Sequence, residues 1–178
     1  MNKRAKFLCS FIGSAAIGIP VYIFLHELGH TLVALACGAN ITHFSIFTAS
    51  MSAEGGTYTP FTSSLLHAGG MLFPYIIFLV LLFTFQKKKE GTLYTCTYSV
   101  MAMLCIYPLL AWVVVPLISM ATSLTANDDV VKFLYASGLP PLLVTLLALL
   151  LLIAAGLVTY HKGVFHALRN LIKSLGTE

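Results

Sequence analysis

Charge is scarce in this sequence: Asp, Glu, Lys and Arg together make up 9% of its 178 residues, against roughly a quarter in a soluble domain. With 58% hydrophobic residues and a mean hydropathy of +0.92, that shortage excludes a water-soluble packed domain and predicts an integral membrane protein. Cysteine is also sparse, and Cys9, Cys37, Cys96 and Cys105 show no CxxC spacing, so they are read as small apolar residues. Internal repeats, low-complexity segments and long linkers are absent, which leaves one domain, 1–178.

What is present in quantity is apolar sequence. Four runs at about 7–36, 62–85, 92–120 and 129–160 are each near or above the roughly 20 residues that cross a bilayer. The expected fold is an all-α integral membrane protein of about four transmembrane helices. Between the first two runs, Ile41-Thr-His-Phe-Ser-Ile-Phe-Thr alternates loosely, and Glu54-Gly-Gly-Thr-Tyr-Thr supplies a turn signal. The segment is expected to be a short β-hairpin or a loop. In the last run, Asn127 and the two aspartates after it resemble a helix cap before Val130-Val-Lys-Phe-Leu-Tyr-Ala, and Gly138-Leu-Pro-Pro interrupts the helix. The fourth helix is thus expected to be broken, as helices are where polar groups line a cavity at membrane depth.

Nine of the ten basic residues flank the runs on one side: Lys3, Arg4 and Lys6; Lys87, Lys88 and Lys89; Lys162, Arg169 and Lys173. Lys132 is the exception. The positive-inside rule makes this a multi-pass cell-membrane protein with both termini cytoplasmic. No nucleic-acid partner is expected from a +4 charge distributed in this way. A signal peptide with cleavage after Ala34-Leu-Ala is rejected, because a signal core is about 7–15 residues long and carries no His-Glu pair.

That pair belongs to His26-Glu27-Leu28-Gly29-His30, set within the first apolar run. An ionisable group at the centre of a spanning helix costs about 2.5–3.5 kcal/mol on insertion scales, so such residues read as functional. Four residues apart on a helix, His26 and His30 share a face and can aim imidazole nitrogens at one point, which suits Zn²⁺. Glu27 flanks that point as the candidate general base and acid for amide hydrolysis. A helix-packing cluster held by hydrogen bonds is the plainer alternative.

A catalytic zinc needs a third protein ligand. Val33 and Ala36 stand where a metzincin would have Gly and His, which excludes that class. Glu54 is 24 residues past His30 but lies beside Gly55-Gly56, which suits a turn rather than a thermolysin-like helix. Asp128 and Asp129 remain. Two adjacent acids call for a cation, and Asp128 is favoured as the ligand with Asp129 as the alternative. The other acid would cap the helix or orient a ligand. His67, at the start of the second run, is read as an interfacial anchor ahead of a catalytic residue, and no chemistry is assigned to His43, His161 or His166.

HELGH in a first core helix, Gly38-Ala-Asn-Ile-Thr-His-Phe-Ser-Ile-Phe after it, Ala68-Gly-Gly opening the next helix and an acidic pair before Gly-Leu-Pro resemble the site-2 protease family of intramembrane zinc metalloproteases, closest to its compact members without a PDZ domain. The similarity covers roughly residues 17–145, and HELGH is its only strongly specific motif. It implies that His26, His30 and an aspartate hold zinc, that Glu27 is the general acid/base, and that the substrate is a membrane protein cut within or near its transmembrane segment. The chain departs from the family in having Asp128-Asp129-Val130 in place of Asp-Gly, and no amide side chain in Ala68-Gly-Gly-Met-Leu-Phe-Pro, where His67 or Asn127 would have to substitute. Orientation is a further difference. Relatives hold zinc nearer the cytosolic face, whereas the charge count puts HELGH in the outer half. Two other functions compete with proteolysis, a non-proteolytic membrane zinc-binding scaffold or regulator and a divalent-ion transporter, the latter lacking a second constellation across the bilayer.

Overall fold

A computed structural model describes residues 2–89, 91–122 and 128–176. The chain folds as α1 (Lys3–Ala36), β1 (Ala39–Ser45), β2 (Ser50–Gly55), α2 (Pro60–Phe83), α3 (Thr92–Ser119), α4 (Asp129–Ser137), α5 (Pro141–Lys162) and α6 (Val164–Leu175). Helices α1, α2, α3 and α5 are long and apolar enough to cross a membrane. At 1.5 Å per residue, α1 is about 51 Å long, well beyond a hydrocarbon core of about 30 Å. Its basic first turns can therefore project from one side while its last turns project from the other.

The expected fourth span, 129–160, is two helices. Gly138 takes a left-handed conformation (φ 61°) and ends α4, and Pro141 opens α5. Glycine tolerates that backbone and proline suits a helix start, so the Gly-Leu-Pro-Pro break falls where the sequence puts it. The core lies among α2, α3, α4 and α5. Phe78, Leu82, Leu109, Val144 and Ala155 are buried in it, the Tyr75 hydroxyl donates to the Leu151 carbonyl (2.9 Å), and Trp112 meets Phe133 edge-on at 5.2 Å.

β1 and β2 pair antiparallel, with a bulge between Ile41 and His43. The hairpin turn is residues 46–49, with Ala49 at φ 46°. The Gly-Gly signal is not that turn. Gly55 and Gly56, at φ 75° and 82°, end β2 and redirect the chain toward α2, and a Cβ on Gly56 would press on the Ala39 side chain at 3.0 Å. The expected Asn127 cap lies outside the described residues. No helix was expected after residue 160, yet α6 forms there.

Helices α1 and α2 cross at Gly29 and Gly69. A Cβ on Gly29 would run into the Gly69 carbonyl, and one on Gly69 would lie 2.8 Å from the Gly29 oxygen. Only hydrogen at both positions permits this approach, and the crossing brings the histidine face of α1 against α2.

Candidate metal centre

Three side chains converge near the end of the bundle away from the nine clustered basic residues, on the side of Lys132. His26 and His30 come from one face of α1, about 35 Å along the helix from Lys3. Asp129 comes from the first residue of α4, which is held in place by the buried Val130 and Val131 and by Phe133 on Trp112. His26 Nε2 and His30 Nε2 are 3.1 Å apart, and Asp129 Oδ2 lies 3.2 Å from each. Ligands held tetrahedrally at about 2.0–2.1 Å from Zn²⁺ stand about 3.3 Å from one another, so the triangle has the dimensions of one face of such a site.

Its protonation chemistry points the same way. The Leu66 carbonyl can only accept, so His30 donates Nδ1–H to it (2.7 Å), and neutral His30 then presents a lone pair at Nε2. The Asp129 carboxylate is likewise an acceptor. With both rings neutral, one proton on His26 Nε2 can serve one of these two atoms and leaves the other facing an acceptor; a cation at the centre satisfies all three. Among the described residues, His26 Nδ1 is buried without a hydrogen-bond partner, so only His30 has its far nitrogen fixed.

Asp128 does not join them. Its Oδ1 accepts from the amides of Val130 (2.6 Å) and Val131 (3.3 Å), which makes it the helix cap. The expectation that favoured Asp128 as the residue meeting the imidazoles is therefore corrected to Asp129, and the two aspartates exchange roles. Glu54 is exposed and pairs with Asn40 in the hairpin, away from the triangle.

Glu27 is 3% exposed and lines the same cavity of about 600 Å³ as the triangle. No hydrogen bond holds its carboxylate among the described residues. Tyr22, Met51, His67, Trp112 and Lys132 also line this cavity. Tyr22 could have been found from the sequence, because it precedes His26 by four residues on the same helical face; its ring stacks on Phe78 at 6.3 Å.

Gly70 is the residue whose importance the sequence hides. A Cβ there would lie 2.7 Å from Cε1 of both imidazoles and closer still to His30 Nε2. Gly70→Ala is accordingly expected to lower divalent-metal affinity at least about tenfold, the scale of a displaced supporting contact, while the helices still form. Metal content and melting temperature of the purified variant check this, and unchanged metal binding would remove Gly70 from the site.

Fold and site together define a helical chain with four membrane-length helices and a candidate His-His-Asp metal centre. Compared with protein-family models, curated proteins and solved structures, the chain finds no match.

Proposed function

We propose that this protein is an intramembrane zinc metalloprotease that hydrolyses a peptide bond within or near the transmembrane segment of a membrane-protein substrate. The observation that carries this reading is the convergence of His26, His30 and Asp129 in one cavity with the buried carboxylate of Glu27. The three donors, imidazole and carboxylate, suit Zn²⁺ and leave a fourth position for substrate or solvent. Zinc bound there would supply Lewis acidity and lower the pKa of a water.

The chain's own residues supply the rest of the chemistry. Glu27, buried in the wall of the same cavity, would take a proton from the attacking water and pass it to the leaving nitrogen. The Leu66 carbonyl holds His30 in the tautomer that presents Nε2. Ser50 and Met51 of β2 border the cavity, so an unwound substrate can lie extended along the hairpin with its amide over the centre. A scaffold with zinc closed in by both aspartates would need Asp128, whose Oδ1 accepts the cap hydrogen bonds of α4, to turn a carboxylate oxygen to the triangle as well.

The basic end of the bundle, facing the cytoplasm by the positive-inside rule, puts the centre in the outward half of the membrane. Purified protein in liposomes is expected to contain about one zinc per chain and to cleave a reporter transmembrane peptide. A chelator should abolish cleavage and added Zn²⁺ restore it. In the same liposomes, a membrane-impermeant thiol reagent should separate Cys9 from Cys37, at opposite ends of α1. Zinc-loaded protein that cleaves no reporter in any preparation would move the assignment to a metal-binding scaffold.

A further inference from the structure

We propose that the groove at the basic end, between Lys87 and the first half of α6, binds the phosphate headgroup of an anionic phospholipid. α6 follows α5 directly through Gly163, at φ 82°, and the stem of Lys87 lies on that glycine, where a Cβ would come within 2.9 Å of it. At its far end, Arg4 donates Nε–H to the Leu175 carbonyl (3.1 Å). Twelve residues, about 18 Å of helix, therefore run from the end of α5 to the start of α1, packed on α3. A helix tied to both is laid across the end of the bundle, where the headgroups of a bilayer would be.

Its sequence fits that position. Val164, Phe165, Leu168, Leu171, Ile172 and Leu175 form one stripe, and His166, Arg169, Asn170 and Lys173 form the other. This division marks a helix that lies in the membrane interface. The bundle covers only part of the apolar stripe. Val164 is fully buried, but Phe165 and Ile172 are 47% and 50% exposed, leaving apolar surface for acyl chains beside the groove.

The groove has a volume of about 480 Å³ and is lined by Lys87, His161, His166, Arg169 and Asn170. Among the described residues, the side chains of Lys87, His166, Arg169 and Asn170 make neither a hydrogen bond nor an ion pair. The described acids, Glu27, Glu54, Asp128 and Asp129, belong to the half of the molecule that carries the metal centre. Glu90 and Glu178, outside the described residues, adjoin this end in sequence, against nine basic residues there. Unpaired cations over an apolar margin, in a pocket between helix ends, match a phosphodiester with its chains in the bilayer.

The test uses the full chain in nanodiscs of phosphatidylcholine containing phosphatidylglycerol, with retained lipid counted by native mass spectrometry after transfer to detergent. Wild type is expected to keep phosphatidylglycerol in preference to phosphatidylcholine. The Lys87→Gln/Arg169→Gln pair should lower that retention about tenfold or more, given two cations near the surface, and the Lys87→Arg/Arg169→Lys pair should largely keep it. Lys6→Gln/Lys88→Gln, which removes the same charge outside the groove, should retain the lipid. The proposal is overturned by equal retention of the two lipids by wild type, by equal losses in the groove and control pairs, or by displacement of the lipid with inorganic phosphate. The wild-type comparison decides the matter even if a groove variant does not fold.

Discussion

Replacing Glu27 with glutamine is expected to lower the turnover of a reporter transmembrane peptide by about 10²–10⁴-fold, the range that a positioned general acid and base contributes, while zinc content stays that of wild type. Both halves follow from the position of Glu27. The side chain is buried and lines the cavity beside the His26–His30–Asp129 triangle, but it is not one of the three converging donors. Glutamine keeps its volume and loses only the ability to carry a proton. The measurements are zinc per chain by elemental analysis and cleavage under single-turnover conditions, which removes product release from the rate. A variant that cleaves at the wild-type rate sinks the assignment of Glu27, and one that loses zinc shows the carboxylate to be part of the metal site.

What the sequence made legible differs between the parts of this molecule for physical reasons. Membrane-length helices are written in composition, because a lipid-facing helix must be apolar over its whole length; α1, α2 and α3 lie close to the expected spans. The histidine pair was legible because helical spacing alone puts His26 and His30 on one face. The break of the fourth helix was legible because glycine and proline act on the backbone locally, and Gly138 does so.

The remainder depended on information that is not local. Gly55 and Gly56 carry a turn signal, but the hairpin closes at 46–49 because strand register and the bulge at Ile41/His43, not composition, fix where the chain reverses. α6 was hidden because Lys162, Arg169 and Lys173 were counted as charges beside a membrane span; the stripe of Val164, Leu168, Leu171 and Leu175 was there to be read at helical spacing. The role of Gly70 is invisible in sequence, since it arises from the crossing of α1 and α2 at Gly29 and Gly69.

The aspartate pair is the sharpest case, and it yields the other large expected effect. Either acid can cap α4, and the choice rotates the next side chain by about 100° around the helix axis. With Asp128 as the cap, accepting from the amides of Val130 and Val131, Asp129 becomes the first helical residue and its Oδ2 reaches both imidazoles at 3.2 Å. Asp129→Asn should therefore weaken zinc binding by at least about a hundredfold, since even loss of a residue supporting a ligand costs about 10–100-fold, and should abolish cleavage. Asp128→Ala removes only a cap, worth about 1 kcal/mol, so zinc and most of the activity should remain and the melting temperature should fall by about 2–4 °C. Zinc titration and thermal unfolding of the two variants, side by side, decide the assignment. If the alanine at 128 empties the site and the asparagine at 129 leaves it filled, α4 begins elsewhere and the triangle of donors described above is not the metal centre.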